Sequence, residues 1–193
     1  IGKMAIGLPE IIRDVAKRGH TIGTHTWSHA RLRRLKSDAD AVTEIERGVS
    51  AVHRAVGTPI SPFFRYPVLE DTKTTLAHLG DRNIAIFSTD IDSRDYVPQS
   101  PERLVKAIMG KLEKQGKGII LMHDIQKTTA KAMPSLLKEL KVNGYKLVHL
   151  TAKDQATTLG EYDQMEEKDA KGLPAAGSER PTANVVKTIK RSE

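Results

Sequence analysis

Apolar and polar positions alternate along this chain in two rhythms, and the rhythm changes every ten to twenty residues. Leu8, Ile11, Ile12, Val15 and Ala16 recur at helical spacing, so Leu8 to Arg18 is predicted as an amphipathic helix that stops at Gly19. His20 to Thr26 is β-branched and alternating, which predicts a short strand. Ser37 is placed to cap a long helix reaching Val56, with Ala41, Val42, Ile45, Val49, Val52 and Val56 as its apolar stripe. Asp40, three residues after Ser37, resembles a capping box with a shortened carboxylate, and Gly57-Thr58-Pro59 ends the helix.

The same punctuation continues downstream. Phe63 and Phe64 predict a short strand running into Arg65, Asp71 a cap for a helix ending at Gly80, and Ile84 to Thr89 a buried strand. Ser100-Pro101 opens a helix to about Gln115. Gly118 to His123 is a nearly all-apolar strand, Ala130 to Val142 a helix with Pro134 near its first turn, and Tyr145 to Leu150 a further strand. Strands that alternate with helices and are apolar on both faces predict parallel α/β architecture, either a barrel or a doubly wound sheet. The pattern fails after Thr151, so residues 1–152 are expected to form the domain. Lys153 to Glu193 are expected to form a polar, largely disordered tail in which "EYDQMEEKDAK" makes at most a transient helix.

Composition narrows the function classes. With 193 residues, one domain with a real core is expected. No apolar run approaches the ~18 residues of a membrane span. The absence of cysteine excludes disulfides and thiolate metal sites, and suits cytoplasm and bacterial periplasm equally. The chain begins at Ile1, and its opening stretch does not read as a signal peptide. Net charge is +7; residues from 151 on hold seven basic and eight acidic groups, so the first 150 carry +8. That invites a nucleic-acid reading, but Arg31, Arg33 and Arg34 are the only tight basic cluster and no aromatics interleave for base stacking. An anionic polymer or cell-wall surface is the better match, and no nucleic-acid partner is expected.

Candidate chemistry sits where the predicted strands end, which is where parallel α/β folds gather functional groups. The first strand ends at His25 and His29, the second at Arg65, the third at Asp92 and Asp95, the fourth at His123 and Asp124. Each has a plain alternative. The histidine pair can be two exposed imidazoles beside a basic loop, or metal ligands, since imidazole suits Zn²⁺ and related ions. His123 can be a satisfied core residue, or a general acid beside a carboxylate. Arg65 can simply pair with a helix carboxylate, and Asp92 and Asp95 can be turn or cap residues.

Taken in order, "HTWSH", "RYP", "DSRDY" and "LMHD" resemble the motifs of the polysaccharide deacetylase family, the NodB-homology domain of carbohydrate esterase family 4. His25, Thr26 and His29 match its H-[ST]-x-x-H motif, and Arg65 with Pro67 its arginine and proline-rich turn. Asp92 and Asp95 match D-x-x-D-W with Tyr96 in place of Trp, and Leu121 and His123 match L-x-H. The resemblance covers about residues 8–150. It implies a (β/α) barrel, here distorted and incomplete. The family's T-F-D-D-G motif, source of the catalytic base and third metal ligand, is not matched, so the chain is expected to be a fragment lacking the first strand and helix.

By that resemblance the chain is a metal-dependent hydrolase of carbohydrate metabolism. It would remove N-acetyl groups from a GlcNAc-containing polysaccharide such as chitin or bacterial cell-wall peptidoglycan, and the fragment itself would be inactive. The alternatives are an O-acetyl polysaccharide esterase and a non-catalytic polysaccharide-binding pseudoenzyme. His25 and His29 would hold a divalent metal, Zn with Co or Ni as substitutes, and Trp27 would pack to fix the turn between them. Arg65 would orient the base, and the Val68 N–H would face the oxyanion. His123 would protonate the leaving amine with Asp95 behind it. Leu121 and Tyr96 would line the pocket. The partner would be an acetylated polysaccharide, and the location periplasmic or extracellular.

Overall fold

A computed structural model describes residues 1–171. They form two compact units, residues 1–86 together with the chain from 151 on, and residues 87–150.

The first unit is built on α3, Asp38–Val56. Its expected stripe is buried at Ala41, Ile45, Val49, Val52 and Val56, packed with Ile60, Phe64, Leu79 and Ile84. The Ser37 hydroxyl accepts the Asp40 N–H, and Gly57 closes the helix in the left-handed conformation that glycine adopts without strain. The helix expected from Leu8 is α2, Pro9–Lys17. An unexpected short helix, α1, Gly2–Gly7, precedes it. Helix α4, Lys73–Asp81, is capped by Thr72 and not by Asp71: Thr72 and Thr75 exchange both bonds of a capping box.

Strands β1, Phe63–Phe64, and β2, Ala85–Ile86, pair in parallel. The strand expected over His20 to Thr26 is reduced to one parallel bridge, Thr24 to Phe64, in which Thr24 N–H donates to Phe63 O and Arg65 N–H to Thr24 O. Gly23 permits this approach, since a Cβ there would lie 2.7 Å from the Phe63 carbonyl oxygen.

The expected tail does not start at 153. Ala156 N–H donates to Ile60 O, and α7, Gly160–Lys171, packs on α3 with Tyr162 and Glu166 buried. Arg47 bonds both Glu166 and Asp169. The anchor is an ion pair, so apolar periodicity gave no sign of it. The rest of the expected tail, 172–193, lies outside the described residues.

The second unit packs α5, Pro101–Gln115, against α6, Lys127–Val142, over Ile91, Leu104, Ile108, Leu112, Leu136 and Leu140. Ser100 caps α5 with Pro101 in its first turn, as expected. Helix α6 starts one turn earlier than expected, which leaves Pro134 in its interior. Strands β3, Ile91–Asp92, and β4, Ile120–Leu121, pair in parallel. Tyr145 to Leu150 forms no strand, and Leu147 and Val148 are 69% and 77% exposed. A strand exists through ladder bonds to a neighbour, and the ladders of the described residues, β1 with β2 and β3 with β4, do not include this segment. No barrel closes among the described residues: parallel strand pairs flanked by helices are what the chain shows. No described helix is long and apolar enough to cross a membrane.

Candidate active site

The histidine loop lies in the first unit. Thr26 and His29 both carry positive φ, 61° and 66°, a conformation costly for a β-branched residue above all. The loop is held there by its own hydroxyl and by its neighbours: Thr26 is fully buried, and its Oγ1 accepts the His29 N–H. The turn swings the two imidazoles together, edge to face, with ring centroids 4.8 Å apart.

His25 is half-buried and His29 exposed. His25 Nδ1 donates to the Arg65 carbonyl oxygen at 2.6 Å. A carbonyl only accepts, so Nδ1 carries the proton and the Nε2 lone pair is left for a ligand. Burial pushes the His25 pKa down to about 4, aided by the adjacent His29, although the bond to Arg65 works the other way. The ring is therefore neutral at neutral pH, as a metal ligand must be. Two adjacent imidazoles fit a divalent ion as two of its protein ligands. No group of three or more candidate ligands occurs among the described residues.

Arg65 thus acts on His25 through its main chain, a role that its side-chain identity did not announce. Burial lowers the pKa of its guanidinium. The turn after Pro67 places Val68 and Leu69 at φ 51° and 58°, with Val68 half exposed.

The second unit holds the acid pair. The register Asp92 opposite Leu121 carries β3 and β4 side by side and delivers His123 to Asp95. The buried Asp95 carboxylate accepts His123 Nδ1–H at 2.7 Å, the His123 backbone N–H at 2.6 Å and the Thr129 hydroxyl at 2.6 Å. Burial alone would raise its pKa, but the bonds from Thr129 and His123 outweigh it and hold the carboxyl below the usual range. Nδ1 is fixed as a donor, and the ring presents Nε2.

Tyr96 stands edge to face with His123, centroids 5.9 Å apart, and its hydroxyl donates to Asp92. That bond raises the phenol's pKa. Asp92 also accepts the Arg94 N–H, so it is a turn-forming residue, as its plain reading had it. Leu121 is half-buried on β4.

The structure therefore brings together His25, His29 and the Arg65 main chain in one unit, and Asp95, His123 and Tyr96 in the other; Val68 lies on the turn after Pro67 and Leu121 on β4. Sequence reasoning missed Thr129, for which no spacing signal exists, and a set of residues on α3. Glu44 accepts both the Ser28 N–H and the Ser28 hydroxyl, and Arg47 lies over the Trp27 ring at 4.2 Å. The one available signal was Gly48, a glycine inside a helix.

Comparison with known proteins bears on what such clusters do. The sequence model of the family described as polysaccharide deacetylase matches residues 1–85. The chain is 26% identical over 148 residues to a peptidoglycan-N-acetylglucosamine deacetylase of Listeria monocytogenes, covering 77% of this chain and 30% of that protein. It is 28% identical over 177 residues to chitin deacetylase 1 of Saccharomyces cerevisiae, covering 88% and 54%. Among solved structures, a peptidoglycan deacetylase of Bdellovibrio bacteriovorus matches with TM-score 0.72 and 36% identity over 80% of this chain and 43% of that one. The chain thus spans only about a third to a half of the length of these relatives.

Proposed function

We propose, from the premise that this chain belongs to the polysaccharide deacetylase family, that it serves the hydrolysis of N-acetyl groups on a GlcNAc-containing polysaccharide, peptidoglycan-like or chitin-like. The observation that carries this is the pairing of a two-imidazole ligand loop with an oriented histidine acid in one chain. The names of the relatives support the substrate class. The family's fold supports reading the parallel strand pairs as parts of a distorted, incomplete (β/α) barrel. A cell-wall polymer as substrate supports a periplasmic or extracellular location.

An amide carbon is a poor electrophile and its amine a poor leaving group. His25 and His29 would hold a divalent ion, Zn or in its place Co or Ni, which would supply Lewis acidity. The chain's own residues supply the rest. The Arg65 carbonyl keeps His25 Nε2 directed outward. The Val68 N–H donates to the developing oxyanion, a contact worth about 3 kcal/mol in comparable sites. His123 in its imidazolium form delivers a proton from Nε2 to the departing nitrogen, while Asp95 holds Nδ1 and stabilises the charged ring. Leu121 offers apolar surface to the acetyl methyl, and Tyr96 packs on the acid ring.

Calorimetric titration with Zn²⁺ and acetate release from N-acetylglucosamine oligomers test the reading. Zn²⁺ binding is expected in the parent and lost in the His25→Ala, His29→Ala double variant, and any acetate release should fall at least ~100-fold in His123→Ala. Equal Zn²⁺ binding by parent and double variant refutes the ligand assignment. Oligomer binding with no acetate release at saturating Zn²⁺ supports instead a non-catalytic polysaccharide-binding module.

A further inference from the structure

The loop between the histidines is gripped from one side by a single helix face. Glu44, Arg47 and Gly48 stand at i, i+3 and i+4 on α3, so they share that face. Gly48 lets the helix backbone reach the loop: a Cβ there would fall 2.6 Å from the Thr26 carbonyl carbon and 2.9 Å from its Cα. The Glu44 main-chain carbonyl accepts the Trp27 N–H at 2.8 Å. Its carboxylate takes the Ser28 N–H at 2.9 Å and the Ser28 hydroxyl at 2.8 Å. The Arg47 guanidinium lies flat enough on Trp27 to sit 4.2 Å from the ring centroid. None of these contacts is to an imidazole. All are to the three residues that separate the two imidazoles.

Arg47 is itself directed from behind. Its Nε donates to Glu166 at 2.7 Å and its Nη2 bonds Asp169, both on α7. Glu166 is fully buried, and that burial pushes its carboxyl above the usual range despite Arg47. A guanidinium held at two corners has its plane fixed, and that plane is what Trp27 stacks on. A loop with two left-handed non-glycine residues persists only where its surroundings over-determine it.

We infer that Arg47, held by Glu166 and Asp169 of α7, is a positioning residue for the two-histidine loop: with Glu44 and Gly48 it sets the separation and angle of the His25 and His29 rings. The inference rests on the metal-ligand reading for its functional meaning, but not for its geometry. It makes α7 part of the apparatus that holds the loop.

The test uses the whole chain, in which Trp27 is the only tryptophan and reports the stacking directly. Arg47→Met keeps the length and removes the charge and the fork. It is expected to shift Trp27 emission to the red, to raise acrylamide quenching and to weaken binding of Zn²⁺ alone about 10-fold, with far-UV circular dichroism unchanged. Arg47→Lys, which keeps a cation but not the fork held by Glu166 and Asp169, should recover only part of both signals. Glu44→Leu is the second variant, expected to weaken Zn²⁺ several-fold through loss of the Ser28 bonds; it decides the matter if Arg47→Met does not fold. Unchanged emission and unchanged Zn²⁺ affinity in a folded variant overturn the inference. If the His25→Ala, His29→Ala protein binds Zn²⁺ as well as the parent, the metal reading has failed by itself. The inference is then decided by the imidazole ¹⁵N shifts of His25 and His29 without metal: they move in Arg47→Met if Arg47 positions the loop, and stay if it does not.

Discussion

The substitution Asp95→Asn separates what this carboxylate does for stability from what it does for the acid. The carboxylate takes two donors on Oδ2, the His123 backbone N–H and the Thr129 hydroxyl, and one on Oδ1, the His123 Nδ1–H. The backbone donor cannot turn away, so the amide oxygen of the substituted side chain must occupy the Oδ2 position. The amide nitrogen then points at His123 Nδ1, which has to become an acceptor. The ring responds by moving its proton to Nε2 and pairs one amide N–H; the second amide N–H gains no partner from the exchange.

The cost is therefore the exchange of charge-assisted for neutral bonds, about 1–3 kcal/mol at neutral pH. It is not the ~3–5 kcal/mol of an unpaired buried charge. The native carboxyl titrates below the usual range, so its contribution is complete above the unfolded value of about 3.9 and is lost as pH falls through the folded one. The difference between parent and variant, from urea unfolding at a series of pH values, should be flat near neutrality and shrink in acid. Long-range ¹H–¹⁵N correlation should show His123 protonated at Nδ1 in the parent and at Nε2 in the variant. With its tautomer inverted, the ring no longer passes a proton backed by the carboxylate, and acetate release should drop by roughly 10²–10⁴. A variant that keeps Nδ1–H, or loses more than ~4 kcal/mol, refutes this account of the pair.

Two further substitutions probe local geometry. Gly48→Ala improves helix propensity by up to ~1 kcal/mol, yet it drives a methyl into the Thr26 backbone, so a net loss of about 1–3 kcal/mol is expected in urea unfolding; a neutral result would show the loop free to retreat. Pro134→Ala restores a backbone donor inside α6 and removes the ring's clash with the preceding turn, so thermal melts should show a gain of about 1–3 kcal/mol; a loss would show that the helix packs around a bend it needs.

The helices were legible because their evidence is local. The α3 stripe and the Ser37 and Gly57 signals placed that helix to within a residue. The strands were over-read, since Tyr145 to Leu150 has the composition of a strand but joins neither parallel ladder of the described residues. Helix α7 was hidden because what it buries beside Tyr162 is Glu166, and a buried ion pair leaves no mark on an apolar pattern. In the candidate site, residue type and position at strand ends were enough to single out His25, His29, Asp95 and His123. The supporting groups were not visible that way. Glu44 and Arg47 read as the solvated face of a helix until folding lays Ser28 and Trp27 against them, and Thr129 looks like any threonine of a first turn.

The chain has one tryptophan and two hydrophobic cores, and the tryptophan belongs to the unit that carries the histidine loop. Emission therefore follows the melting of one core and is blind to the other, whereas far-UV dichroism sums the helices of both. Coincident curves would mean a single cooperative transition. Curves that part would mean sub-global unfolding, with one cluster surviving while the other opens. In that case the His25–His29 ring contact and the His123–Asp95 bond would be lost at separate midpoints, and no single melting temperature would describe the protein.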